Sequence, residues 1–388
     1  MKLVFKLIFF VIFIVLFVIV VSYARGYRIN FKEKSLTSTG IISISSTPKS
    51  AKIYINGQFK GLTDTNLNLP PGEYQIEIKK DGYLNWSKKI KLKGELVVYV
   101  DPILFPINPS LTPLTNLGII KAVSLSDSNK IVLFAKDGIY LFDNNQSPIS
   151  FFPPLKTIVK KDYLPNEVDF KKASVIPSPD LKQAIFDFGD NIAYLFSLEE
   201  ENKETVQIPI ESKKTLVEAW NKQKQKNIQK ILEVYPKEFS KIASDSFKII
   251  AFSPDETKVI YQSEIDINLP LIIDPPLVAA NQTPENRQIK KKAIYVYDKK
   301  EDKNYEIFST ETATQIPVKW YFDSKHLIIE ENKKISVIDY DGQGKKTIYS
   351  GPFEPGFYTI TSDGKIIILV NLNPETNELP DLYLVGIR

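Results

Sequence analysis

A short repeat recurs through most of the chain and limits its possible folds more than any other feature. In each copy a turn containing Ser or Asp precedes a lysine-flanked apolar strand, and a second strand ends near an aspartate. The copies are LSDSNKIVLFAKDGIYLFDNN, PSPDLKQAIFDFGDNIAYLFSLE, FSPDETKVIYQSE with KKAIYVYDKKEDKNYEIF, YFDSKHLIIEENKKISVIDYDGQGKKTIY, and TSDGKIIILVNLN with PDLYLVGIR. Repeats on the order of 40 residues with short strands are typical of propeller blades. The pattern predicts an all-β propeller over residues 117–388, with five units visible and a sixth or seventh left open.

Residues 40–101 predict a separate small β-module. Short segments such as AKIYINGQ and YQIEIKKDGY alternate apolar and polar residues between turn signals. Asn56 and Gly57 favour a tight hairpin, because both central positions of that turn require positive φ. A phosphate-binding loop is a poor alternative, since such a loop leads into a helix and here another strand follows.

Two proline-rich segments interrupt the strand pattern. Pro102, Pro106, Pro109 and Pro113 predict a stiff, extended linker over residues 102–116 rather than a strand. Residues 264–292 predict a long loop that leaves one blade between two strands.

One helical insertion is predicted at residues 215–239. Its apolar residues fall on one helical stripe that ends at Pro236, and they are Val217, Trp220, Ile228, Ile231 and Tyr235. Both insertions are candidate binding elements, because loops on a rigid scaffold often carry function. The alternative is that they are tolerated at a blade edge.

The N-terminal segment from Leu3 to Tyr23 is apolar except for Lys6. About 20 apolar residues in a helix span the hydrocarbon core of a bilayer. We therefore predict a transmembrane anchor at residues 1–24 and a polar spacer at 25–39, rather than a cleaved signal peptide. Basic residues flank the segment on both sides, so the charge rule leaves its orientation open.

Composition excludes several classes of site. The chain has no cysteine, and its single histidine, His326, is interpreted as the start of a strand. Disulfides, thiol chemistry and histidine-based triads are therefore excluded within one chain. Arginine occurs only at positions 25, 28, 287 and 388, so nucleic acid is not a predicted partner. No cofactor is predicted.

Three aromatic residues are candidates for a binding surface. Tyr83 and Trp86 flank a turn, and Trp220 lies on the predicted helix. The alternative for such rings is packing against a core. Asp339, Asp341 and Gly342 in DYDGQGKK have the spacing of a calcium loop, but Asp-Gly is also a hairpin signal and the bidentate glutamate is missing. No ordered carboxylate pair is visible, so we predict a protein that is not an enzyme.

Residues 40–101 resemble the PEGA domain, a small β-module of bacterial and archaeal surface proteins. Lys49 and Ser50 replace the Glu and Gly of the eponymous motif. The matching elements keep their order, and they are Pro48 and Ala51, Asn56-Gly57, Gly61 and Thr63, Pro71-Gly72-Glu73-Tyr74, Asp81-Gly82-Tyr83, and Trp86.

The downstream repeat resembles the WD40-like blades of TolB-type propellers, in which a Ser-Pro-Asp-Gly-Lys element precedes a strand. Ser178-Pro179-Asp180 and Ser253-Pro254-Asp255 match this element, Ser362-Asp363-Gly364-Lys365 matches in part, and Asp323-Ser324-Lys325 is a remnant.

The combined resemblance is to bacterial cell-envelope proteins and implies binding or scaffolding. We predict a single-pass membrane protein whose PEGA and propeller domains lie outside the cytoplasmic membrane and bind an envelope protein or surface polymer. The alternatives are a propeller glycoside hydrolase acting on envelope glycans and a scaffold that faces the cytoplasm.

Overall fold

The computed structural model describes residues 2–24, 27–30, 35–125, 129–144, 155–278, 280–311 and 317–387. These residues form two compact units. The first consists of Met1–Asn108 and Pro275–Thr283, and the second of Pro109–Asp274 and Pro284–Arg388. Antiparallel sheets predominate in the described residues, beside three α-helices, which confirms the all-β class.

The first helix, α1 (Lys2–Ala24), covers the segment predicted to be the anchor. Its side chains from residue 6 to residue 21 are exposed. Within the described part of the chain, no helix has the length and apolarity that crossing a membrane requires. The structure therefore does not support the transmembrane helix, and the anchor stays a prediction.

Among the described residues, the first unit contains nine strands. A hairpin of β1 and β2 is followed by one sheet in the order β6-β3-β9 and another in the order β5-β4-β7-β8. The strands are β1 (Tyr27–Asn30), β2 (Ser35–Ser38), β3 (Gly40–Ile44), β4 (Lys52–Ile55), β5 (Gln58–Leu62), β6 (Thr65–Leu69), β7 (Gly72–Lys79), β8 (Trp86–Leu92) and β9 (Val97–Val100).

The predicted hairpin is confirmed. Asn56 and Gly57 join β4 to β5 with φ of 49° and 78°, as the tight turn requires. Ser50, where the resemblance has glycine, also has positive φ, at 60°. Alternate residues of β4 and β7 face the core, where Ile53, Ile55, Ile76 and Ile78 are buried.

In the described residues, the second unit contains five sheets of three or four strands, which we call blades 1 to 5. Blade 1 contains β11 (Ile119–Ser124), β12 (Lys130–Ala135), β13 (Gly138–Asp143) and β14 (Leu155–Lys160), and blade 2 contains β15 (Ser174–Pro177), β16 (Gln183–Asp187) and β17 (Ala193–Ser197). Blade 3 contains β18 (Phe247–Phe252), β19 (Lys258–Ser263), β22 (Ile294–Asp298) and β23 (Lys303–Phe308). Blade 4 contains β24 (Val318–Trp320), β25 (His326–Glu331), β26 (Lys334–Asp339) and β27 (Lys346–Tyr349). Blade 5 contains β28 (Tyr358–Ile360), β29 (Ile366–Val370), β30 (Asp381–Gly386) and β10 (Ser110–Pro113).

The last blade is completed by a strand from the start of the unit. Ser110–Pro113 pairs antiparallel with β30, so the first and last strands of the unit close the ring. These residues lie in the segment predicted to be linker, so that part of the prediction differs from the structure. Pro113 is compatible with a strand here because β10 lies at a sheet edge, where a missing N–H is tolerated.

The repeated turn joins the first two strands of every blade. In blades 1 to 4 the N–H of the first turn residue donates to the carbonyl five residues later, and these first residues are Leu125, Ser178, Ser253 and Tyr321. In blade 5 the corresponding bond runs from Thr361 to Lys365 and spans four residues. Thr361, not Ser362, therefore takes the place of the motif's serine.

Hydroxyl and carboxylate groups fix this turn. Ser253 Oγ donates to Asp255 Oδ1 at 2.7 Å and accepts from the N–H of Lys258 at 2.9 Å. Burial acts to raise the pKa of Asp255, but the hydrogen bonds from Ser253 and Thr257 outweigh it and lower that pKa to about 2. The Ser-Pro-Asp element thus forms a turn that is held by its own polar side chains.

Neighbouring blades pack through their faces. Mixed clusters of buried apolar residues join blades 1 and 2, blades 3 and 4, and blades 5 and 1. Blades 4 and 5 are joined by Lys319 Nζ, which donates to Tyr358 O at 2.7 Å, and by Tyr321 Oη, which donates to Gly364 O at 2.7 Å. The contacts thus run from blade 3 through blades 4, 5 and 1 to blade 2, which is the neighbour order of a propeller with five blades in the described residues.

Two helices, not one, form the insertion between blades 2 and 3. They are α2 (Ile210–Leu232) and α3 (Lys237–Ser246), so the predicted insertion at 215–239 begins too late and ends too early. Pro236 does not only end the first helical stripe, since it is also the N-cap of α3. Proline is tolerated at a helix start because the N–H groups there have no intrahelical partner.

The second excursion leaves blade 3 between β19 and β22, as predicted. It contains two short paired strands, β20 (Ile267–Asn268) and β21 (Gln288–Ile289). Ile289 and Leu269 pack into the same core as α3.

Candidate interaction surfaces

Tyr83 and Trp86 lie in the first unit. Both rings are partly buried and pack against the core that contains Ile42 and Ile53. Both rings therefore pack against a core, and their role in binding stays a prediction. Tyr99, on the edge strand β9, is 78% exposed and was not singled out by the sequence. The sequence signal for its exposure was the alternation of the short apolar strand, because successive side chains of a strand point to opposite faces.

The ends of α2 are fixed to the second unit. Near the start, Lys213 Nζ forms an ion pair with Asp187 at the end of β16. Near the end, Leu232 is buried, and Ile228 and Ile231 pack against the core of blade 3. Trp220 is half-buried and lies between these two ends.

The middle of α2 is exposed on every side. All seven residues from 221 to 227, with the sequence NKQKQKN, are exposed, and they cover almost two helical turns. A helix that lies on a surface keeps one side covered. Residues 221–227, which we call the exposed segment, are therefore presented to solvent while both ends of the helix are held.

Helix α3 has the opposite environment. Phe239 and Ala243 are buried, and the Phe239 ring stacks on Tyr297 with centroids 3.8 Å apart. Val259 and Tyr261 on β19 face this helix, whereas Ile260 faces blade 4. Helix α3 therefore covers the face of blade 3 that does not pack against blade 4.

The excursion at 264–292 is held by one buried carboxylate. Asp302 is 2% exposed, and its Oδ2 accepts from the N–H groups of Ile272 and Ile273 at 2.7 and 2.9 Å. Arg287 Nη2 lies 3.2 Å from the same oxygen, and Tyr297 Oη donates to Oδ1 at 2.9 Å. These bonds order the base of the excursion, so it is part of the fold there.

The tip of the excursion also has partners. Residues 275–283 belong to the first unit, in which the Gln282 side-chain amide accepts from Lys91 N and donates to Lys91 O, both at 2.7 Å. These bonds satisfy backbone groups of β8 at a sheet edge. The excursion is thus less available to a partner than the exposed segment of α2.

His326 begins β25, as predicted, and is 7% exposed. Its Nδ1 lies 2.5 Å from Asp323 Oδ2, and its Nε2 lies 3.4 Å from Asp339 Oδ1. Burial acts to lower the pKa of His326, but the bond and charge of Asp323 and the charge of Asp339 outweigh it and raise that pKa. The cluster ties the repeated turn of blade 4 to the end of β26.

The DYDG sequence forms a turn after β26, in which the N–H of Gly342 donates to Asp339 O at 2.9 Å. Gly342 has φ of 78°, which explains the glycine. Among the residues that the structure describes, no group of three or more His, Cys, Asp or Glu side chains is arranged to hold a metal ion.

Sequence reasoning missed Asp302, Arg287 and α3. Arg287 is the only arginine between residues 29 and 387, which was a usable signal for a dedicated charge partner. The residues that pair with it, Glu285 and Asp302, cannot be recognised from spacing because their contacts depend on the folded excursion.

Comparison with known proteins confirms one domain. Residues 39–104 match the PEGA domain. A solved structure described as a putative TolB from Agrobacterium tumefaciens is similar at 11% identity, over 67% of this chain and 76% of that chain, with a TM-score of 0.24. No curated protein matches the chain. The propeller assignment rests on the sheets, the repeated turn and the closure by β10.

Proposed function

We propose that the protein is a membrane-anchored scaffold of the cell envelope that binds a partner through the exposed segment of α2. One observation carries this proposal: residues 221–227 are exposed on all sides, although both ends of the helix are fixed to the blades. Binding segments are often held in this way on rigid scaffolds. The PEGA domain supports a location in the envelope.

The anchor is proposed from α1. Its large apolar side chains are exposed from Leu7 to Val21, and contiguous exposed apolar surface of this kind needs a lipid or protein cover. We propose that α1 spans the membrane with the N-terminus inside, so that both units lie outside the cytoplasmic membrane. The resemblance to envelope proteins supports this orientation.

The anchor and its side can be tested on membranes and spheroplasts. The chain is expected to stay in the membrane fraction in alkaline carbonate and to be digested when protease is added to intact spheroplasts. Release by carbonate contradicts the anchor. Digestion only after lysis contradicts the proposed side and supports the cytoplasm-facing scaffold.

Binding can be tested by site-specific photo-crosslinking in cells. A photoreactive residue at Lys224, inside the exposed segment, is expected to crosslink to an envelope component. The matched control at Lys241, an exposed position on α3, is expected to give no product. Equal products at both positions, or none at Lys224, contradict the proposed role of α2.

The hydrolase alternative has its own outcome. If the purified chain releases reducing sugar from cell-wall material, and substitution of a single Asp or Glu abolishes that activity, the binding proposal is wrong. We expect no release of sugar.

A further inference from the structure

The six lysines of α2 fall into two groups by their partners. In the first turns, Lys213 pairs with Asp187, and Lys214 pairs with Glu211 at 3.1 Å. The other four lie in the second half of the helix, and no carboxylate in the described chain pairs with any of them. They are Lys222, Lys224, Lys226 and Lys230.

Three of these lysines form a row. Lys222, Lys226 and Lys230, which we call the lysine stripe, follow one another at four-residue spacing and are all exposed. Such residues lie along one side of a helix, about 6 Å apart. Lys224 points to another side, because two residues correspond to about 200° of rotation.

The stripe is unfavourable for the helix alone. Like charges at four-residue spacing repel, and a polar helix that bridges solvent is normally stabilised by Glu–Lys pairs at this spacing. Glu218 stands four residues before Lys222 but makes no ion pair with it in the structure. A local departure from helix stabilisation without a structural gain indicates a functional role.

We propose that the lysine stripe binds a linear polyanion whose phosphate or carboxylate groups follow one another along the chain. This inference rests on the proposed function, since two of the three stripe lysines, Lys222 and Lys226, lie in the exposed segment. Lysine is a point charge that is strongly hydrated and does not require bidentate geometry. It therefore suits a repetitive, flexible polymer better than a single shaped ligand.

The composition of the exposed segment favours a polymer over a membrane or a protein. A helix that lies in a bilayer interface needs a bulky apolar side next to its basic side. Residues 221–227 contain only Asn, Lys and Gln. Protein interfaces depend on aromatic or arginine anchors, and the segment has neither.

The test measures binding of the full chain in detergent micelles to inorganic polyphosphate and to poly-glutamate, at several salt concentrations. The stripe variant combines Lys222→Gln, Lys226→Gln and Lys230→Gln, because glutamine keeps helix propensity. The matched control combines Lys156→Gln, Lys203→Gln and Lys237→Gln, which removes the same charge from exposed positions elsewhere. Thermal unfolding of both variants should match that of the unmodified chain.

The stripe variant is expected to bind at least about tenfold more weakly, and the slope of log affinity against log salt is expected to fall by about two. The control should keep the original affinity and slope. The polymer that binds more tightly identifies phosphate or carboxylate as the preferred charge.

Three results overturn the inference. They are equal binding by the stripe variant and the unmodified chain, no binding of either polymer at low salt, and stripe-dependent binding to anionic vesicles but to neither polymer. If crosslinking from Lys224 persists in any of these cases, the proposed function stands and only the polyanion is wrong. Polymer binding through the stripe without crosslinking at Lys224 supports the polyanion and contradicts the proposed envelope scaffold.

Discussion

Helices α2 and α3 belong to one insertion and have opposite environments. Helix α3 buries Phe239 and Ala243 against blade 3, whereas Leu232 is the only buried residue of α2. One helix therefore completes the core, and the other carries the exposed segment between two fixed ends. The two helices of one insertion can therefore differ in role, since α3 contributes buried residues to the core and α2 contributes one.

The largest expected effect comes from the helix that completes the core. Phe239→Ala should lower the free energy of unfolding of the second unit by about 3–5 kcal/mol, because a fully buried ring that stacks on Tyr297 is lost. Urea-induced unfolding followed by aromatic fluorescence measures this. Lys241→Ala, on the exposed side of α3, should change the free energy of unfolding by no more than about 0.5 kcal/mol. Equal midpoints for the two variants contradict the division between the helices.

The second excursion extends the comparison, since its base is also part of the fold. Asp302→Asn should lower the free energy of unfolding of the second unit by about 3 kcal/mol, because it leaves Arg287 without its buried charge partner. Limited proteolysis should then cleave faster within residues 264–292. Lys300→Gln, an exposed neighbour, serves as the control. Unchanged cleavage would show that the carboxylate does not order the excursion.

An exposed residue can still matter through its backbone, and the first unit provides the test. Gly57 has φ of 78°, and no atom lies within 4 Å of where a Cβ would be. Gly57→Val should therefore destabilise the first unit by about 1–2 kcal/mol through strain alone. Gly57→Asn should destabilise the first unit less, because asparagine tolerates positive φ better than valine does. Hydrogen exchange of β4 and β5 distinguishes the two, and equal protection contradicts the turn assignment.

The smallest of these effects is a pH dependence in blade 4. The pKa of His326 is raised in the folded chain. Its contribution to the free energy of unfolding is therefore fully present below about pH 6.5 and is lost as pH rises through the folded-state pKa. The pKa of Asp323 is lowered despite burial, through the bond with His326, so the pair also weakens in acid. Lys325 and Asp339 are the other charges acting on the ring. The melting temperature of the unmodified chain should fall above about pH 6.5, and His326→Gln should remove that fall. If the two chains show parallel dependence of melting temperature on pH, His326 does not cause the fall.

Local signals predicted most of the repeat. The turns at Ser178 and Ser253, the hairpin at Gly57 and the strand that begins at His326 depend on residues close in sequence, and the structure confirms them. Strand β10 was missed because its pairing with β30 joins residues far apart in sequence, and its prolines favoured a linker.

The candidate site was predicted only in outline. Helix α2 was expected, but the difference between α2 and α3 depends on which residues blade 3 covers, and sequence periodicity does not show this. Helix α3 was not predicted because Pro236 is equally compatible with the end of one helix and the beginning of another. The lysine stripe was visible in the sequence, but its lack of ion pairs required the structure.

We propose that the exposed segment of α2 is used for binding and is not needed for folding. Replacing residues 221–227 by seven alanines keeps the helix and its length, so both ends stay fixed. We measure capture of an envelope component from solubilised envelope by this variant and by the unmodified chain, at equal melting temperature. We predict that the variant loses capture, and capture at the original level would contradict a binding role for the exposed segment.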